Sequence, residues 1–167
     1  MRRAIPARLF AVALAISSLS LIPLSAPAPA ATLGASCTKL VSPAPVTINK
    51  ILTSKSTVSG CLPLAATGGS GKGLTQIGIK VGGKTITRST TTWAGGKGTT
   101  IQTVSYKPGP KPNKCPVGTT LIVSTSVVTG GSGAALKAIP KGHKGAQSVC
   151  VTSKNTATLL PGSSVKY

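Results

Sequence analysis

Short runs of β-branched residues, separated by glycine and proline, constrain the fold of this chain more than any other feature. The clearest example is Lys84–Tyr106, KTITRSTTTWAGGKGTTIQTVSY, in which two Thr- and Ile-rich runs flank Ala94–Gly98. Three glycines among those five residues can supply the positive φ angles that a tight connection needs. The stretch therefore predicts a β-hairpin.

Similar runs occur along the rest of the chain, and the longest is Thr119–Thr129. Leu121, Val123, Thr125 and Val127 share one face of this run, and we expect that face to point into the core. Seven to nine short runs with turn residues at regular spacing predict an all-β protein, an antiparallel β-sandwich with an immunoglobulin-like architecture. A small barrel is the alternative, and the pattern does not distinguish the two.

The first thirty residues have the layout of a signal peptide. Met1–Arg8 is basic, Leu9–Leu24 is mostly apolar, and Ser25–Ala31 is rich in small residues. We expect cleavage after Ala30, which leaves residues 31–167 as a single secreted domain, extracellular or associated with the cell wall. An uncleaved anchor is the alternative, but the apolar run is short for a membrane-spanning helix. No later stretch is long enough for a transmembrane span.

Four cysteines remain in the exported part, Cys37, Cys61, Cys115 and Cys150. An even number in an oxidising compartment predicts two disulfide bonds. Three pairings are possible, and we favour Cys37–Cys61 with Cys115–Cys150 because these pairs close shorter loops than the crossed arrangements do. Zinc is the competing role for cysteine, but no CxxC pair occurs and His143 is not at ligand spacing.

The charge of the chain is one-sided, because it contains no Asp or Glu. Removal of Arg2, Arg3 and Arg8 from the 19 basic residues leaves 16 on the exported domain, and all but Arg88 are lysines. Such a surface attracts polyanions without specificity, although the same lysines could serve only solubility. The candidate contacts to a polyanion are Lys72, Lys97, Lys107, Lys111, Lys114, Lys141 and Lys144.

The missing carboxylates also exclude several functions. Paired-carboxylate glycosidases, Ser-His-Asp triads and carboxylate-rich calcium sites cannot be built from these residues. His143 lies in KGHKG, which is typical of a solvated loop. The loop around Lys72 fails the P-loop pattern, because Gly73 follows the lysine where Ser or Thr is required. We therefore predict no enzymatic activity, no catalytic residue, no metal site and no cofactor.

Nucleic acids are poor candidates for a specific partner. The exported part has three aromatic residues, Trp93, Tyr106 and Tyr167, which are too few for a base-stacking surface, and no DNA-binding motif is present.

Five turn motifs follow one another along the chain: SGC, TGGSG, TWAGGKGTT, VTGGSGAAL and the final PGSSVKY. Their order resembles that of small secreted β-rich proteins of actinobacteria, a group without an assigned function. The resemblance implies a β-rich fold and an extracellular location, and it implies no functional residues.

These observations predict an exported, non-enzymatic cationic protein that associates with anionic envelope polymers or lipid headgroups. A secreted protein-binding module, such as an inhibitor or a host-interaction factor, is the alternative. A hydrolase with a Lys–Ser or Cys site is the least expected reading. The sequence leaves the oligomeric state open.

Overall fold

The computed structural model describes residues 33–111 and 114–167. The predicted signal peptide, residues 1–30, lies outside the described residues. Within the described part the chain is all-β, with ten strands and two short helices. The strands are β1 Ser36–Ser42, β2 Val46–Ile48, β3 Ile51–Leu62, β4 Ser70–Val81, β5 Lys84–Trp93, β6 Gly98–Pro108, β7 Thr119–Ser132, β8 Lys144–Thr152, β9 Ala157–Leu159 and β10 Val165–Lys166. The helices are α1 Leu64–Thr67 and α2 Gly133–Ala138.

All strand pairings are antiparallel, and the sheet closes on itself. From β3 to β9 the order in the sheet is the order in the sequence, and β1 then pairs with both β9 and β3. Two positions in the closed sheet are each occupied by two short strands. β1 and β2 pair with the same edge of β3, and β9 and β10 both lie between β8 and β1. The result is an eight-stranded antiparallel barrel.

The predicted immunoglobulin-like sandwich is therefore wrong. A sandwich needs connections that cross between two sheets, whereas most strands here are joined to the next by tight turns. The two-residue turns Asn49-Lys50 and Gly82-Gly83 and the short 3₁₀ turn Ala94–Gly96 hold consecutive strands side by side. One continuous twisted sheet results, and its curl brings β1 against the last strands.

The predicted hairpin at Lys84–Tyr106 is confirmed as β5 and β6. Its register runs without interruption from the Thr87–Val104 pair to the Trp93–Gly98 pair. Register shifts occur instead where this hairpin meets its neighbours, on the pairs with β4 and β7. These irregularities bend the sheet, which a closed barrel requires.

The apolar core lies at one end of the barrel, where α1 and α2 cover it. Cys37, Trp93, Val128 and Ile139 are each at most 2% exposed and belong to this cluster. The Cys37–Cys61 disulfide joins two directly paired residues of β1 and β3 within the cluster. The second disulfide, Cys115–Cys150, ties the connection between β6 and β7 to β8 at the other end. Both predicted pairings are confirmed.

The predicted core face of β7 is mostly wrong. Val123 is only partly buried, Thr125 is exposed and Val127 is 42% exposed, although Leu121 is buried as expected. The opposite face, with Ile122, Ser124 and Ser126, lines the barrel interior. Since Val123 and Val127 lie outside and the small side chains of Ser124 and Ser126 lie inside, the interior keeps open space.

Candidate ligand cavity

The barrel interior contains a cavity of about 380 Å³. All eight strand positions contribute to its lining. Pro45 and Asn155, from connections at one end of the barrel, also line it, and we name this end the mouth. The opposite end, which carries α1, α2 and the Ala94–Gly96 turn, is the base. Pockets for small organic ligands typically measure about 300–1,000 Å³, so the cavity can hold one small molecule.

Hydroxyl groups dominate the polar part of the lining. They belong to Ser42, Ser54, Ser56, Thr75, Ser89, Thr91, Tyr106, Ser124, Ser126 and Tyr167. Aliphatic side chains such as Ile77 and Val149 lie among them. No acidic side chain contributes, because the chain has no Asp or Glu. The cationic lining residue is Lys166, whose exposed side chain donates a hydrogen bond to Ser36 Oγ at 3.2 Å.

Several of these hydroxyls are fixed by hydrogen bonds between neighbouring strands. Thr75 donates to Ser89 Oγ at 3.0 Å, and the two residues are direct partners in the β4–β5 ladder. Gln102 Nε2 donates to Ser126 Oγ at 3.0 Å across β6 and β7. A hydroxyl group offers one donor and two acceptor lone pairs, so each bonded group keeps capacity for a ligand while its orientation is already set.

Ser124 lies two residues before Ser126 on β7 and is the residue best placed to contact a ligand. Its side chain is 3% exposed and lines the cavity, and its hydroxyl makes no hydrogen bond to the described residues. No fully enclosed side-chain oxygen or nitrogen in that part of the chain lacks a partner. The Ser124 hydroxyl therefore opens into the cavity and is free to bond a guest.

The Tyr167 ring forms the floor of the cavity, and the Trp93 ring packs beneath it. Trp93 and Tyr167 pack edge to face, with ring centroids 4.9 Å apart and planes at 72°. Trp93 Nε1 donates to Thr100 Oγ1 at 2.8 Å, and the Thr91 hydroxyl lies 3.5 Å from the Tyr167 hydroxyl, at the long limit of a hydrogen bond. Burial raises the pKa of Tyr167, against a smaller lowering by the Thr91 bond. The floor is thus uncharged at neutral pH.

Gly71 allows β4 to approach Thr91 and Trp93 of β5 closely. A Cβ atom on Gly71 would lie 2.9 Å from Thr91 Cγ2 and 3.0 Å from Trp93 Cε3. Both distances are shorter than ordinary van der Waals contact, so any larger residue would push β4 away from the tryptophan ring.

The seven lysines predicted to contact a polyanion do not form one patch. Three of them, Lys107, Lys111 and Lys114, lie at the mouth, and Lys72 lies on the outer wall. The other three, Lys97, Lys141 and Lys144, lie at the base. The mouth holds four further lysines that the prediction did not single out. We call the full set the mouth lysines: Lys50, Lys80, Lys84, Lys107, Lys111, Lys114 and Lys154, all exposed.

A second, more open cavity lies at the base. This apolar groove of about 1,020 Å³ is bordered by Leu33, Leu62 and Leu64, each more than half exposed, and by His143. Tyr167 borders both the groove and the barrel cavity. The groove is formed mainly by apolar side chains of α1, α2 and the chain before β1, and it offers few polar groups to orient a ligand.

Neither a metal centre nor a membrane-spanning helix is found in residues 33–111 and 114–167. No cluster of three or more His, Cys, Asp or Glu side chains occurs there that could bind an ion, and no helix in that part is long and apolar enough to cross a bilayer.

Sequence reasoning missed the cavity residues. Their signal was the alternation of small hydroxyl residues on one face of several strands, as at Ser54 and Ser56 on β3 and at Ser124 and Ser126 on β7. A polar face normally indicates the solvent side of a strand, so the pattern pointed outward.

Comparison with known proteins adds no relative, since no protein-family model, curated protein or solved structure matches the chain. The resemblance to secreted actinobacterial β-rich proteins therefore stays a prediction.

Proposed function

We propose that the protein is a non-enzymatic binding protein that holds a small, uncharged, hydroxyl-rich ligand inside its barrel. The observation that carries this proposal is the cavity of about 380 Å³ inside the barrel, with hydroxyls set among aliphatic side chains. Loss of hydration is costly for an ionised ligand, and the lining offers little to offset it: Lys166 is exposed and donates to Ser36, and the lining has no acidic side chain. A neutral molecule with several hydroxyl or carbonyl groups exchanges hydrogen bonds to water for bonds to groups such as Ser124.

Several observations support a binding role over catalysis. No free cysteine is found among the described residues, since all four form disulfides. His143 borders the groove at the base and is not among the residues that line the cavity. The hydroxyls of the cavity therefore have no adjacent histidine or free thiol of the kind that takes part in nucleophilic catalysis.

The two disulfides are consistent with an extracellular protein. Together with the predicted signal peptide, they support the proposal that the protein is secreted.

The test is a titration of the purified protein with neutral sugars, cyclitols and glycosides, and with matched sugar acids and amino sugars. We expect neutral compounds to raise the melting temperature and to change the fluorescence of Trp93, because its ring packs against Tyr167, which lines the cavity. Ser124→Val should abolish the response, because it removes the free hydroxyl, whereas Thr125→Val on the outer face of the same strand should not. Equal binding of charged analogues, or full binding by Ser124→Val, would contradict the proposal.

The positive charge favours a second function, association with anionic components of the cell envelope. Its support is the position of the mouth lysines, which lie on four separate connections at one end of the barrel. The attraction is electrostatic and should weaken with salt. Retention on isolated envelopes that stays constant from low to high ionic strength would contradict this function.

A further inference from the structure

We infer that the mouth is a docking surface for an anionic lipid bilayer, which the protein contacts with the cavity opening toward the membrane. This inference rests on the proposed envelope association and narrows it to one partner. Three features of the mouth carry it: the mouth lysines, the exposed apolar residues at its turns, and one lysine in an unfavourable backbone conformation.

Charge at the mouth is distributed around the whole opening. The β2–β3 turn carries Lys50, the β4–β5 turn is flanked by Lys80 and Lys84, and the β8–β9 turn carries Lys154. The β6–β7 connection contributes the three remaining mouth lysines. Because all four connections lie at the same end of the barrel, a flat anionic surface can contact lysines from each of them.

Apolar side chains occupy the tips of three of these four connections. Ile48 is 42% exposed, Val81 is 41% exposed, and Val117 is fully exposed at 105%. Each lies within three residues of a mouth lysine. Binding to a soluble polyanion would leave these apolar side chains in water. A bilayer can bury them below its headgroups while the neighbouring lysines bind those headgroups. This alternation favours lipid over polymer.

Lys50 occupies a turn position at the mouth whose backbone conformation is unfavourable for lysine. Both residues of the Asn49-Lys50 turn have positive φ angles, 50° and 65°. Asn tolerates this region, but the second position of such a hairpin turn strongly favours glycine. The neighbouring turn follows that rule with Gly82-Gly83, at φ angles of 55° and 78°. Lysine at position 50 therefore points to a function, since strain of this kind persists where it serves one.

The test measures binding of the purified protein to vesicles of phosphatidylcholine with and without phosphatidylglycerol. We expect binding only to the anionic vesicles, with affinity that falls as salt rises. The mouth variant Lys50→Ser/Lys84→Ser/Lys154→Ser should bind about a hundredfold more weakly, at about fivefold for each lysine. The matched base variant Lys137→Ser/Lys141→Ser/Lys144→Ser, which removes the same charge, should bind nearly as well as the parent protein. Equal losses in the two variants would overturn docking through the mouth.

A second comparison separates lipid from soluble polymer. Val117→Ser should weaken vesicle binding about tenfold, because a valine side chain that the bilayer would bury is replaced by a polar one. It should leave binding to soluble polyphosphate unchanged. Val127→Ser on the outer wall is the control and should change neither. If Val117→Ser leaves vesicle binding intact, bilayer docking is wrong while electrostatic association stands. If neither vesicles nor polyphosphate bind at low salt, both fail, and the ligand cavity is judged separately by its own titration.

Discussion

The two ends of the barrel differ in how much of their surface is covered and packed. The base is covered by two helices, contains the Cys37–Cys61 disulfide and the Trp93–Tyr167 pair, and buries most of the apolar core. The mouth carries lysines, exposed valines and the proline-containing β6–β7 connection, and the cavity reaches it. Most of the buried apolar contacts that stabilise the fold therefore lie at the base, and the mouth keeps exposed side chains that can bind a partner.

The largest expected effect comes from opening the base at Trp93. Trp93→Ala should lower the free energy of unfolding by about 3–5 kcal/mol, because it removes a buried indole and its packing on Tyr167. Denaturant unfolding measures this loss. Tyr106→Ala at the mouth is the control, and since the Tyr106 side chain is 46% exposed, its loss should be less than half as large. Similar losses at both sites would remove the distinction between the two ends.

A smaller effect is expected from the hydrogen bond beneath the floor. Thr100→Val keeps the shape of a side chain that is 1% exposed but leaves the Trp93 indole N–H without its acceptor. We expect a loss of about 1–3 kcal/mol in unfolding free energy. Thr92→Val, on the exposed face of β5, should change stability little. If the two variants unfold alike, the indole bond does not stabilise the base.

At the mouth, a substitution at Lys50 should raise the free energy of unfolding instead of lowering it. Lys50→Gly should raise the free energy of unfolding by about 1 kcal/mol, because glycine adopts positive φ without strain. The same variant should bind anionic vesicles about fivefold more weakly. Lys50→Ser separates the two effects, since it removes the charge but keeps the side-chain strain. A destabilised Lys50→Gly protein would contradict the claim that this turn is strained.

The smallest effect concerns pH and Tyr167. Burial raises the pKa of Tyr167 above its ordinary value of 10.0, so the unfolded chain loses this proton first as pH rises. Stability from this group is complete below pH 10 and falls as pH rises from there through the folded pKa. Tyr167→Phe should lack this part of the decline. Tyr106, whose pKa is also raised by burial, is present in both proteins, so the difference between their pH profiles reports Tyr167. Parallel profiles would contradict the assignment.

Local features of the fold could be predicted from sequence, and the packing could not. The β5–β6 hairpin, the Gly82-Gly83 turn and both disulfides follow from glycine conformations and from loop length, which are properties of neighbouring residues. The inward face of β7 depends instead on what lies across the barrel. Its aliphatic residues Val123 and Val127 would normally be placed inside, but the closed sheet turns Ser124 and Ser126 inward.

The candidate site shows the same division. Seven lysines were predicted as contacts, and only Lys107, Lys111 and Lys114 lie at the mouth, because sequence distance does not report which end of a strand a residue occupies until the strand order is known.

The sequence by itself determined an all-β, disulfide-bonded and strongly basic chain without carboxylates, because turn conformation, cysteine number and charge are local or additive properties. Only the tertiary structure decided that the sheet closes. Closure depends on the pairing of β1 with β9 and β10, which joins residues more than a hundred positions apart, such as Val41 and Thr158. That one long-range pairing converts alternating serines from a solvent face into a cavity wall, and it brings lysines from four separate turns to the same opening.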